Sequence, residues 1–361
     1  MKLGILGPPQ SGKTTLFAAL TRGEAASGSA RGEKIHLGSV KVPDARLDRL
    51  RDLYEPKKFT PAKVDYVDAP PLETAGRVER GALASLTALR DVDAFVLVIR
   101  AFDDPSVPHF MERVDPGRDA GWLASELLLE DLAVIERRLE RIEKAVKVGK
   151  KPEDPHEYEA LKRVREALEA ERPARAASLG APEERSLRGF QLLTMRPWIV
   201  VVNGDDAALK RGEETLTAPV AARFSEPRPP VIALSAKTEA ELVALPEEEA
   251  REFMGVLGIA EPGLTRMIRL SYATLGLVSF FTVGPDEVRA WTVRDGALAP
   301  EAAGEIHSDL ERGFIRAEVI AYDDLIRAGT MAKAREMGLL RTEGRDYRVR
   351  DGDILNIRFS V

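Results

Sequence analysis

The most specific chemistry in the chain lies in Gly7-Pro-Pro-Gln-Ser-Gly-Lys-Thr14, which follows the apolar stretch Leu3 to Leu6. Gly7 and Gly12 permit backbone angles that a Cβ hinders, so successive amides can turn inward on a phosphate. Lys13 adds a cation for β- and γ-phosphates, and the Thr14 hydroxyl is a natural ligand for Mg²⁺. The spacing fits G-x-x-x-x-G-K-[ST] at every fixed position, the Walker A phosphate-binding loop. Pro9, Gln10, Ser11, Gly12, Lys13, Thr14 and Thr15 are the expected phosphate-binding residues. Tyr66-Val-Asp68 ends a strand-like segment with an acid, where a carboxylate can reach Mg²⁺ through water, so Thr14 and Asp68 form the expected metal pair.

Two further segments suit the base. Val200-Val-Val-Asn203-Gly-Asp-Asp206 offers an amide for a purine and, three residues on, an acid for ring N–H donors. Ala233-Leu-Ser235-Ala236-Lys237 offers backbone N–H groups to a base oxygen. Asn203, Asp206, Ser235, Ala236 and Lys237 are therefore the expected base-binding set, with GTP/GDP or ATP/ADP as ligand. No residue is assigned a catalytic role.

These segments need a scaffold that brings strand ends together. Residues 1 to about 115 alternate strand and helix patterns: after the first strand–loop–helix unit come Gly38–Val42, Lys63–Val67, a helix over Gly81–Arg90, and the apolar strand Ala94–Arg100. Continuous β-branched stretches between helices predict a parallel sheet covered on both faces. From about Gly121 to Leu193 the pattern changes. Leu128, Leu132, Ile135, Leu139, Ile142 and Val146 recur at steps of four and three, a coiled-coil spacing. Lys150–Pro155 breaks it, and Leu161, Val164 and Leu168 mark a returning helix. Buried strands resume at Pro197–Val202 and Pro230–Ser235, so the helical hairpin is inserted within the α/β domain. A helix over about Pro246–Leu257 follows. Beyond Ser271, strands at Val278–Val283, Val288–Val293, Ile315–Ile320 and Ile354–Phe359, around one helix from Tyr322 to Arg335, predict a small α+β domain. The expected segments are 1–120 and 195–270 for the nucleotide-binding domain, 121–194 for the hairpin and 271–361 for the last domain.

Composition removes several alternatives. The chain has 361 residues, 44% of them apolar and 31% charged, and a net charge of −6, which argues against a globally basic nucleic-acid coat. It has no cysteine, so disulfides, thiolate metal sites and cysteine nucleophiles are excluded, and a reducing cytoplasm is the expected setting. No signal peptide or membrane span is predicted. His36, His109, His156 and His307 show no zinc-ligand spacing.

The whole chain resembles the YchF subfamily of Obg-related P-loop NTPases, also called Obg-like ATPases. The most specific matches are Val42-Pro-Asp-Ala-Arg-Leu-Asp48, the inserted hairpin, and the C-terminal runs Val288–Thr292, Ala302–Asp309, Glu311–Val319 and Glu343–Tyr347. The resemblance implies an α/β fold: a Ras-like P-loop NTPase core with an inserted antiparallel helical hairpin and a C-terminal ubiquitin-like α+β (TGS) domain. It also implies a nucleotide-dependent switch near the ribosome, with Mg²⁺, ATP commonly preferred, and ribosome or RNA contacts through the hairpin and TGS domain. A monomer is expected.

The sequence departs from the family pattern at four places. Gly32 stands where a switch Thr is expected, and Gln10 replaces an Asn of the Walker loop. The D-x-x-G segment reads Asp68-Ala-Pro-Pro71, and N-x-x-E reads Asn203-Gly-Asp-Asp206. Pro71 has no N–H to offer a γ-phosphate. Slow hydrolysis is expected. The alternatives are a catalytically inactive nucleotide-binding adaptor and an RNA-binding module. Asp206 favours GTP and family precedent favours ATP.

Overall fold

Residues 1–23, 26–30, 33–68, 89 and 91–360 are described by a computed structural model, with 26–30 and 33–35 described by backbone alone. Gly32, Pro71, Leu72 and, apart from Leu89, the expected helix over Gly81–Arg90 lie outside the described residues. The strands are β1 Lys2–Leu6, β2 Ala26–Ala30, β3 Glu33–Lys41, β4 Lys58–Thr60, β5 Lys63–Asp68, β6 Ala94–Arg100, β7 Trp198–Asn203, β8 Val231–Leu234, β9 Leu277–Thr282, β10 Glu287–Arg294, β11 Phe314–Ala321, β12 Arg341–Glu343 and β13 Asp353–Phe359.

The chain divides into two units. Met1–Ser39 with Asp65–Met267 forms the first, and Val40–Val64 with Ile268–Val361 forms the second. Residues 40–64, read in sequence with the first nucleotide-binding segment, thus group with the C-terminal residues.

The first unit is built on a seven-stranded sheet of order β2-β3-β5-β1-β6-β7-β8. β1 runs parallel to β5 and β6, β6 to β7, and β7 to β8. Every residue of β6 and β7 is buried, which is why both read as unbroken apolar runs rather than alternating ones. Each such Val, Ile or Leu contributes roughly 1.5–3 kcal/mol on burial. The sheet is not wholly parallel as the sequence pattern predicted. β2 pairs antiparallel with β3, Ala26 opposite Leu37 and Ala30 opposite Glu33. The Gly/Ser-rich composition of β2 hides it, because such residues carry no β-pattern.

The inserted hairpin pairs a helix at Pro116–Lys147 with one at Pro155–Glu169. Asp115 and Asp154 cap them, each with proline in the first turn, so both starts follow standard helix chemistry. Ile135, Leu139 and Ile142 pack with Leu161, Val164 and Leu168, while Val146, assigned by spacing to the same seam, is 39% exposed. The return to the sheet is fixed by Asp131, which is 2% exposed. It accepts from the amides of Leu193 at 2.8 Å and Thr194 at 2.7 Å and from the Thr194 hydroxyl at 2.6 Å. Burial pushes its carboxyl up to about 6 against those donors.

The second unit holds a six-stranded sheet of order β12-β11-β13-β9-β10-β4. The segment Val42–Asp48 has a structural use here. Asp44 caps the helix Ala45–Tyr54, and Arg46 bonds Asp44 and, at 2.7 Å, Asp351 while lying over the Phe281 ring. The single C-terminal helix predicted over Tyr322–Arg335 is two helices, Tyr322–Ala328 and Met331–Glu336. Gly329 at φ 76° ends the first and Thr330 caps the second. Helices at Ala299–Ile306 and Ser308–Arg312 also went unpredicted. Phe280 and Phe281 are fully buried. His307 is a surface residue whose Nδ1 accepts from the Asp309 amide.

Candidate nucleotide-binding site

β1 ends at Leu6 and the helix Lys13–Thr21 begins seven residues later, leaving Gly7–Gly12 as the loop between them. A Cβ on Gly7 would stand 2.4 Å from the Val98 carbonyl oxygen of β6, so only glycine lets the loop leave the sheet at this height. Gly12 caps the helix at φ +90°, and a Cβ there would lie 2.1 Å from Asn203 Nδ2. No side chain caps this helix. Its first amides therefore remain available to an anion.

Lys13 is 5% exposed, and its ammonium donates to the carbonyl oxygens of Gly7 at 2.9 Å and Pro8 at 2.8 Å. An ammonium has three N–H donors, so one is left for a phosphate. Burial lowers Lys13 to about 8, and the charge of Asp68 opposes the shift. A phosphate would oppose it further, since an anion beside the ammonium favours the charged form.

Asp68, at the end of β5, is 6% exposed. Thr14 Oγ1 donates to its Oδ2 at 3.3 Å, while its Oδ1 is buried with no hydrogen-bond partner among the described residues. Burial raises the carboxyl above its ordinary range, with Thr14 and Lys13 opposing. An orphaned carboxylate oxygen beside an exposed hydroxyl suits a hard cation that keeps most of its waters. Mg²⁺ is such an ion, and it needs only one or two protein oxygens when phosphates supply the rest. Among the described residues no group of three or more acidic or histidine side chains forms a denser metal site.

The other expected phosphate residues line the same loop. Pro9 is half-buried and Thr15 exposed, and the Ser11 hydroxyl is buried without a partner. Gln10 is exposed at φ +59°, a left-handed angle that the Asn it replaces adopts more readily.

The expected base-binding set lies at the ends of β7 and β8. Asn203 Nδ2 donates to the Ser11 carbonyl at 3.0 Å, and its Oδ1 accepts from the Ala236 amide at 2.9 Å. Its buried amide thus ties the phosphate loop to the loop after β8. Asp205 caps the short helix Asp206–Lys210, which sets Asp206 in its first turn. Ser235 caps the helix Ala236–Ala244, and Lys237 is exposed.

Two neighbours of these residues were not singled out in the sequence. Thr238, 4% exposed, bonds the Asp206 carboxylate at 2.5 Å and the Ser235 hydroxyl at 2.9 Å. The capping pattern of Ser235 followed three residues later by a side-chain donor was the available signal. Phe102 lies beside the loop, 3.8 Å from where a Gly12 Cβ would stand, with the buried Arg100 guanidinium 4.3 Å from its ring centroid.

Comparison with known proteins gives the family. A family model, YchF-GTPase_C, described as "Protein of unknown function (DUF933)", matches residues 277–360. The "Ribosome-binding ATPase YchF" of Bacillus subtilis is 40% identical, covering 99% of each chain. The chain belongs to the YchF family of P-loop NTPases. The relative of the same name in Escherichia coli O157:H7 is 37% identical over 100% of this chain and 99% of its own. "Obg-like ATPase 1" of Oryza sativa is 33% identical over 100% and 92% respectively. The solved Schizosaccharomyces pombe YchF GTPase superposes with a TM-score of 0.82 at 31% identity, covering 99% of this chain and 97% of that one. The YchF resemblance and the α/β P-loop fold read from the sequence are both borne out.

Proposed function

We propose that this YchF-family NTPase is a slow, Mg²⁺-dependent switch that prefers ATP to GTP and acts in the cytoplasm on the ribosome. The observation that carries the reading is the Lys13–Thr14–Asp68 group: a buried ammonium with a donor to spare beside a hydroxyl and a carboxylate with an orphaned oxygen. In this reading Lys13 and the first amides of its helix bind the phosphates, and Thr14 and Asp68 hold Mg²⁺, which shields the phosphate charge. Asn203 keeps the loop and the base contacts in register. The ribosome enters because whole-length relatives bear the name "Ribosome-binding ATPase".

Two features support adenine. Gly204 stands where the guanine-reading pattern N-K-x-D has Lys. Asp206 meets the Thr238 hydroxyl through Oδ1, so one of the two oxygens that a guanine edge would engage already accepts a bond. Slowness is supported by Pro71, which has no N–H to sense a γ-phosphate. Single-turnover phosphate release with Mg²⁺ tests the reading. Slow release, faster from ATP than from GTP, is expected. Turnover at the rate of efficient ATPases overturns the slow switch, and no release with nucleotide still bound favours the adaptor. Co-sedimentation with ribosomes, with and without a non-hydrolysable ATP analogue, tests the partner.

A further inference from the structure

Asn203, at the nucleotide end of β7, is five residues from Trp198, which opens the strand. That places Trp198 roughly 16 Å away at ~3.3 Å per residue, at the opposite end of the strand. A cavity of about 300 Å³ lies beside it, lined among others by Arg175, Arg223, Ser125 and Glu171. All belong to the first unit.

Among the described residues no carboxylate lies within ion-pair distance of either arginine. Arg175 follows the second hairpin helix. Its Cζ stands 4.5 Å from the Trp198 ring centroid, and its guanidinium donates only to the carbonyls of Thr194, Arg196 and Pro227 at 3.1–3.4 Å. Its Nε–H and one Nη2–H remain unused. Burial lowers its pKa to about 10 with no acid to oppose the shift, so it stays charged at neutral pH. The Arg223 guanidinium makes no hydrogen bond among the described residues. Its stem runs along the long helix at two glycines, with Cδ 3.8 Å from where a Cβ of Gly121 would stand and Nε 3.6 Å from that of Gly117. Arg223 thus lies along the helix at the cavity while remaining exposed. The Ser125 hydroxyl likewise has no partner there. Glu171 sets one negative charge against two positive ones, which leaves the cavity cationic.

Desolvating a guanidinium without an acid is costly, and planar N–H forks match phosphate oxygens. We infer that this cavity is a second ligand site, where Arg175 and Arg223 bind the phosphate group of a small phosphorylated molecule. The volume is at the lower end of the ~300–1,000 Å³ usual for ligand pockets, enough for a monophosphate of modest size. A ligand here would touch both the turn that ends the hairpin and the start of β7. The inference does not rest on the identity of the nucleotide.

Calorimetric titration of phenyl phosphate tests it, using the full chain with Lys13→Ala so that the Walker loop contributes no ammonium. Phenol serves as the uncharged control. One saturable site is expected for phenyl phosphate and none for phenol. Adding Arg223→Gln, a change at an exposed position, should weaken binding about tenfold or more, with Arg223→Lys intermediate. Arg175→Lys, which keeps a charge for the three carbonyls, should weaken it similarly. No saturable binding through the millimolar range overturns the inference. So does phenol binding as tightly as phenyl phosphate, or affinity unchanged by both Arg223→Gln and Arg175→Lys.

Discussion

The two ends of the nucleotide site are built from different materials. At the proposed phosphate end the main chain would do the binding: glycines at 7 and 12 shape the loop, and one lysine and one hydroxyl would complete it. At the base end, side chains hold one another. Asn203 braces Ser11 to Ala236, and Thr238 bonds Asp206 and Ser235. A backbone cradle binds any nucleotide with the right phosphates. A side-chain network reads the base, and one hydroxyl can retune it. The first end should therefore set affinity and the second discrimination.

The largest effect that would break this division comes from Lys13→Ala. Loss of a buried charge-assisted contact to the β-phosphate should weaken Mg·ADP and Mg·GDP alike, by about a hundredfold or more. Asn203→Ala comes next, because it cuts the brace between the ends and leaves the Ala236 amide buried without an acceptor. Urea denaturation should show a loss of about 2–3 kcal/mol, and both nucleotides should bind more weakly. An unchanged denaturation midpoint would mean that the two ends are held together by something else.

A pH series sharpens the phosphate end. Lys13 is lowered from 10.5 to about 8 in the fold, so between those values the unfolded chain holds a proton that the folded chain has released. Stability without nucleotide should therefore gain a component as pH rises from about 8 to 10.5, which is lost again as pH falls. Lys13→Met should lack it in denaturation curves. Nucleotide affinity should move the opposite way, falling above about pH 8 as the ammonium is lost. The smallest effect concerns the base end. Thr238→Val frees Asp206 Oδ1 and should favour GDP relative to ADP by about threefold to tenfold, the worth of one hydrogen bond, while phosphate affinity stays put.

The same contrast explains what the sequence made legible. Glycine at φ +90° and lysine at a fixed offset are local demands, so Gly7–Thr14 announced the phosphate end. β6 and β7 were equally plain, since burial on both faces leaves an unbroken apolar run. Thr238 showed only its capping relation to Ser235, because its bond to Asp206 joins residues 32 apart. Asp131 was silent: an acid on a charged helix looks solvated until Leu193 and Thr194 fold back onto it. β2 escaped because Ser and Gly carry no strand pattern, and the break at Gly329-Thr330 because one residue at φ 76° is enough to end a helix.

Calorimetric titration of Mg·ADP and Mg·GDP into the native chain, Lys13→Ala and Asp206→Ala tests the division of labour most directly. The native chain should bind ADP more tightly than GDP. Lys13→Ala should weaken both by the same factor, and Asp206→Ala should change their ratio. A Lys13→Ala variant that alters the ratio, or an Asp206→Ala variant that leaves it intact, would contradict the account.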